Sequence, residues 1–142
     1  YDRAALGSAD GTLKGGYVLA EASGGQPKVV IVGTGSEVAI CVAARELLEK
    51  EGIATRVVSM PSVEIFRKQD AGYQDSVLPG RVPRVAVEAG RTTFWSGLVG
   101  PTGAVVGIDR FGASAPYERI YQELGLTPAN VAARARALLK GA

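Results

Sequence analysis

The chain has 142 residues, 46% of them apolar, which is room for one domain with a sizeable core and too little for two. Its 16 basic and 14 acidic residues leave a formal charge of +2, and no run of Lys or Arg is longer than a pair, so a nucleic-acid interface built on clustered positive charge is excluded. Histidine is absent, which removes His-based acid–base catalysis and the commonest metal ligand from this chain. No apolar run approaches the roughly 20 residues of a bilayer-spanning helix, and no charged segment followed by an apolar one opens the sequence. The expectation is a cytoplasmic protein with no membrane partner. The single cysteine, Cys41, cannot form an internal disulfide, in line with a reducing compartment. The sequence starts at Tyr1 rather than Met, so it is expected to be a piece of something longer.

Residues 1–13 lack periodicity and read as a linker or lead-in arm, with Gly7 and Gly11 inside it and Gly15 and Gly16 just beyond; 14–142 then forms a single domain. Tyr17 to Glu21 is a short strand, and Ala22 to Pro27, with Ser23-Gly24-Gly25, is a turn. A connection this short suits antiparallel neighbours, because a parallel crossover takes about a dozen residues. The first strand is therefore expected to run against the others. Four further apolar, β-branched runs follow, at Val29 to Val32, Ala54 to Val58, Val85 to Val87 and Ala104 to Ile108, and their alternation with helix-like or loop segments reads as a parallel sheet with crossovers.

Between the first two of those runs, Gly33-Thr34-Gly35-Ser36 leads into a helix reaching Glu51, with Ser36 as N-cap and Glu37 complementing the helix dipole. At about 100° per residue, Ile40, Cys41, Ala43, Ala44, Leu47 and Leu48 share the side expected to be buried. Val38 and Val42 fall on the polar side, either as isolated exposed valines or as a contact with another domain or subunit. After Ser59-Met60-Pro61-Ser62, Val63 to Lys68 forms a helical turn that buries Ile65 and Phe66, and Asp70 to Leu78 forms a second short helix. Thr93 to Leu98 carries Phe94 and Trp95, which read as core or interface anchors. Ser114 and Pro116 start another helix. Thr127 caps the last one, with Pro128 at its first position, Val131, Ala135 and Leu138 as its apolar stripe and Gly141 at its end.

Ligands of open α/β sheets bind beyond the carboxyl ends of the strands, so the loops there are the candidates for function. Gly33, Thr34, Gly35 and Ser36 stand where exposed N–H groups at a helix N-terminus suit an anion, with Arg91 or Arg110 available to help. The signature is incomplete: Val38 stands where a dinucleotide fingerprint has its third glycine, and a P-loop Lys is missing. A tight strand-to-helix turn and an anion site both remain open. Glu88 and Asp109, near two strand ends, are either an acid–base pair or a structural ion pair with Arg91 or Arg110. No Asp/Glu/Cys spacing matches a metal site, and no serine has a base beside it. Cys41 reads as a structural thiol.

The loops taken together resemble the C-terminal domain of transketolases. Lys14-Gly15-Gly16-Tyr17-Val18-Leu19, Thr34-Gly35-Ser36-Glu37-Val38, Val57-Val58-Ser59-Met60-Pro61-Ser62 with Phe66 and Gln69, Val87-Glu88-Ala89-Gly90, Phe111-Gly112-Ala113-Ser114-Ala115-Pro116 and Gly125-Leu126-Thr127-Pro128-Ala129-Asn130-Val131 occur in that family's order and spacing. The resemblance implies a three-layer α/β/α fold with a five-stranded mixed sheet, the first strand antiparallel to the other four. It implies a parent enzyme that uses thiamine diphosphate and a divalent metal, Mg or Ca, to move a two-carbon ketol unit between sugar phosphates as a homodimer. In the family the catalytic and cofactor residues belong to upstream domains, so the resemblance assigns no catalytic, cofactor or metal residue here. It implies an assembly role, with upstream domains and a second subunit as partners and Val38, Val42, Phe94 and Trp95 as contact candidates.

Overall fold

The computed structural model describes residues 13–35, 37–88, 98–99, 103–107 and 126–141. Five strands, β1 (Tyr17–Ala20), β2 (Val29–Gly33), β3 (Thr55–Ser59), β4 (Arg84–Glu88) and β5 (Ala104–Gly107), form one sheet in the order β1-β3-β2-β4-β5. The helices are α1 (Glu37–Lys50), α2 (Val63–Arg67), α3 (Ala71–Val77) and α4 (Pro128–Gly141). β1 is antiparallel to β3, and every other pairing is parallel.

The expected orientation of β1 holds, but its neighbour is β3 and not the strand that follows it. Residues 21–28 carry the chain past the amino end of β3, through a 3₁₀ turn at Ser23–Gly25, and Lys28 N–H donates to Ala54 C=O just before β3 begins (2.8 Å). Two inter-strand steps of about 4.8 Å are within reach of so short a segment. The register shift between Val18 and Ala20 bends β1 onto this edge.

Strand side chains alternate between two cores, which makes the three layers. Val29, Ile31, Val57, Val85, Val87 and Val106 meet α1 and α4, while Val30, Val32, Val58 and Ala86 meet α2, α3 and the helical residues Leu98 and Val99. Each such fully buried Val or Ile contributes about 1.5–3 kcal/mol relative to exposure.

The helix faces differ from expectation in two places. α1 buries Glu37, Val38, Cys41, Ala44 and Leu48, leaving Leu47 37% exposed, and Val42 and Ile40 pack partly buried against the same core. Val38 is thus a core residue and not part of a polar face. The cause is that α1 has two neighbours, the sheet and α4, so its covered stripe is turned from the one that composition alone suggests. In α2, Ser62 caps the helix by accepting from Ile65 N–H (3.2 Å), and Val63 and Phe66, three apart, form the buried face. Ile65 lies off that face and is 43% exposed. α3 is capped by Asp70, which accepts from Tyr73 N–H (2.7 Å), and α4 by Thr127, which accepts from Asn130 N–H (3.2 Å). No helix among the described residues is long and apolar enough to cross a membrane.

Candidate functional site

At the carboxyl edge of the sheet, β2 runs into Gly33, Thr34 and Gly35. Gly33 C=O accepts from Met60 N–H (2.8 Å), tying this loop to the end of β3. A Cβ on Gly33 would stand 2.5 Å from Cys41 Sγ, so the first glycine is required by helix–strand packing. Gly35 takes the left-handed conformation (φ 56°) that turns the chain into α1. The first amides of the helix are then engaged by the loop itself: Glu37 N–H donates to Thr34 C=O (3.1 Å) and Val38 N–H to Gly35 C=O (3.3 Å). The Glu37 side chain is buried, and one of its carboxylate oxygens would lie 3.8 Å from a Cβ on Gly35. An anion here would have to displace those carbonyls and stand beside a carboxylate, so the loop's bonds support the tight-turn reading, and a regulatory anion- or nucleotide-binding module is not favoured.

The lead-in segment closes the neighbouring part of the same edge. Gly15, with φ 83°, lies so close to α2 that a Cβ would run into Phe66 N and Ser62 O, and its C=O accepts from Ser62 N–H (2.9 Å). A Cβ on Gly16 would meet Met60 Sδ at 2.5 Å. Tyr73 donates its hydroxyl proton to Gly16 C=O (2.7 Å), packs on Phe66 and carries Lys14 Nζ 4.5 Å from its ring centre. Cys41 is fully buried; burial, and then the charge of Glu37, push its thiol pKa up, which keeps it protonated and inert.

Gly33, Thr34, Gly35, Val38 and Val42 are therefore placed, the first three in one loop and the valines in or against the core. Ser36, Arg91, Phe94, Trp95, Asp109 and Arg110 lie outside the described residues, as does the side chain of Glu88 and with it any Glu88–Asp109 pair. The helix expected from Ser114 lies there too.

Sequence reasoning missed an ionic network at the opposite edge. Arg56, in the buried strand β3, donates from Nε and Nη2 to the Glu21 carboxylate (2.8 and 3.0 Å) and from Nη1 to Ser76 and Val77 C=O (2.8 and 3.1 Å). Arg45 donates to Thr55 C=O (3.0 Å) and Glu21 C=O (2.5 Å). Glu49 accepts from Thr55 N–H (2.9 Å), Ser23 N–H (3.1 Å) and the Ser23 hydroxyl. Burial pushes the Glu21 carboxyl pKa up, but the hydrogen bonds from Arg56 and Ala22 N–H and the charges of Arg56 and Arg45 outweigh it and hold the pKa below its ordinary value. The available signal was an arginine inside an apolar strand, a charge that has to be paired once buried.

This geometry defines an α/β/α packing domain whose glycines serve close backbone contact and whose charges serve closure. It belongs to the transketolase-like C-terminal domain family: the family described as "Transketolase-like TK C-terminal domain" matches residues 15–127. A plasmid-borne transketolase of Cupriavidus necator is 54% identical over 142 residues, covering all of this chain and 21% of the relative. Transketolase 1 of Escherichia coli is 53% identical over 127 residues, 89% of this chain and 19% of the relative. Among solved structures, the transketolase from Leishmania mexicana aligns with a TM-score of 0.86 at 38% identity, over 95% of this chain and 19% of that one. A Pichia stipitis transketolase in complex with sedoheptulose-7-phosphate gives 0.85 at 37% identity, over 96% and 20%. The chain thus spans about a fifth of the length of the relatives it matches.

The described residues do not fit the metal that a diphosphate cofactor would bring. Among them no group of three or more His, Cys, Asp or Glu is placed to hold a metal. The carboxylates of Glu21, Glu49 and Glu51 are engaged by Arg56, by Ser23 and Thr55, and by Arg136.

Proposed function

We propose that this chain is the C-terminal structural and assembly domain of a full-length transketolase, which transfers a two-carbon ketol unit between sugar phosphates in the pentose phosphate pathway. The observation that carries this reading is 54% identity over the whole chain to a transketolase of which it covers 21%. In this reading thiamine diphosphate and Mg or Ca belong to upstream domains, the enzyme is a cytoplasmic homodimer, and this domain contributes buried surface and no reacting group. Val42, Phe94 and Trp95 are proposed contacts with the rest of the enzyme; Val38 lies in the core.

The test compares the full-length gene product with a version truncated before Lys14. Sedoheptulose-7-phosphate, found with the Pichia stipitis enzyme, is the ketol donor to try, with an aldose phosphate as the acceptor and thiamine diphosphate and Mg present. Ketol transfer by the full-length protein, with a fall in dimer stability after truncation, is the expected result. A full-length product without ketol transfer, or a truncation that leaves sedimentation and rate unchanged, overturns the reading.

A further inference from the structure

The α2/α3 layer carries a cleft of about 360 Å³. Such a volume is at the lower end of the range of about 300–1,000 Å³ for small-molecule sites. Its apolar lining comes from Phe66, Leu78 and Leu98, and its charged lining from Arg67, Arg84 and Asp75. It is distinct from the glycine loop: Arg84 opens β4, at the amino end of the parallel strands.

Arg84 is fixed there. Its Nη1 donates to Leu98 C=O (2.7 Å) and its Nη2 to Leu78 C=O (2.9 Å), which holds the guanidinium plane between the end of α3 and the helical residues 98–99. Two carbonyls orient the group but do not neutralise it. Among the described residues neither Arg84 nor Arg67 forms an ion pair, and Asp75 accepts from Gly80 N–H (3.2 Å). Burial lowers the pKa of Arg84, and the charge of Asp75 offsets that only in part. The lining therefore offers two guanidinium groups against one carboxylate, beside an apolar surface. A preorganised, partly desolvated guanidinium strongly favours carboxylate or phosphate oxygens, because its fork matches their geometry.

We propose that this cleft binds a small organic anion, its carboxylate or phosphate head on Arg67 and Arg84 and its apolar body against Phe66, Leu78 and Leu98. Phenyl phosphate and phenylacetate are the probes, with inorganic phosphate testing the head group alone. In two-dimensional ¹H–¹⁵N spectra of the 142-residue chain, at least one aromatic probe is expected to shift the Arg84 Nε–H and Leu98 amide signals saturably, more tightly than inorganic phosphate. The tighter of the two identifies the head group. Arg67→Gln, at an exposed position, is expected to weaken binding by about tenfold with an unchanged melting temperature, the loss of one charge-assisted contact. Arg84→Gln is expected to weaken it further. If that variant fails to fold, the Arg67→Gln titration decides alone. Absence of saturable shifts at millimolar probe, or equal affinity in Arg67→Gln and the parent chain, overturns the proposal.

Discussion

At the amino end of the parallel strands the sheet is closed by charge: Arg56 grips Glu21, Arg45 reaches across to the backbone on either side of them, and Glu49 holds Ser23 and Thr55. At the carboxyl end it is closed by missing side chains, with Gly15, Gly16 and Gly33 letting backbone, Met60, Phe66 and Cys41 approach closely. The contrast teaches that a strand-end loop rich in glycine need not be a ligand cradle. Here the space a ligand would need is already filled by the protein, and the polar groups a ligand would use are bonded to each other.

The difference can be broken from either side. The largest effect is expected at the glycine end: Gly15→Ala forces a side chain into α2 at a left-handed φ and is expected to cost on the order of 4 kcal/mol, read by urea denaturation. Arg56→Ala comes next, at about 3 kcal/mol, because it unpairs Glu21 and two carbonyls together. Gly33→Ala is expected to cost about 2 kcal/mol by overpacking against Cys41 Sγ. Combined with Cys41→Ala, it is expected to cost less than the sum of the two singles, and strict additivity in that cycle would disprove the contact.

The ionic end is the one expected to respond to pH. Glu21 and Glu49 have folded pKa values held below the ordinary 4.5, so their contribution is fully present above that value and is lost as pH falls through the folded values. Acid titration of stability is expected to show this fall, shallower in Glu21→Gln. The contacts of Gly15, Gly16 and Gly33 involve no carboxylate, and the titrating groups beside them, the Cys41 thiol and the Tyr73 hydroxyl, have pKa values pushed up by burial, so these contacts are expected to be indifferent to acid. Smallest of all is Ile65→Ser, within about 0.5 kcal/mol, since the side chain is 43% exposed while its neighbour Phe66 carries the burial.

The strands were legible because a buried parallel sheet writes itself as short β-branched runs, as at Val29 to Val32 and Val85 to Val87. The cap at Thr127 was legible for the same local reason, since it stands next to the amide it satisfies, whereas the caps at Ser62 and Asp70 were not read from the sequence. What failed was set by distant neighbours. Strand order put β1 beside β3, α4 turned the covered face of α1 toward Val38, and the three-residue spacing of Val63 and Phe66 displaced Ile65. The tight contacts of Gly15, Gly16 and Gly33 depend on side chains far along the chain, so glycine content alone could not separate a cradle from a packing device. Arg84 gave no sign of its cleft, because its partners Leu78 and Leu98 offer only backbone carbonyls.

The placement of β1 has a consequence for how the domain is made. During synthesis β1 appears before β3, the strand it pairs with among the described residues, which begins at Thr55, after a complete helix has been produced. Until then it is an unpaired edge, and its arrival is the long-range closure that slows folding. The Glu21–Arg56 pair sits where that closure finishes, so it acts as a register key: a strand that slipped by one residue would leave Arg56 charged, buried and alone.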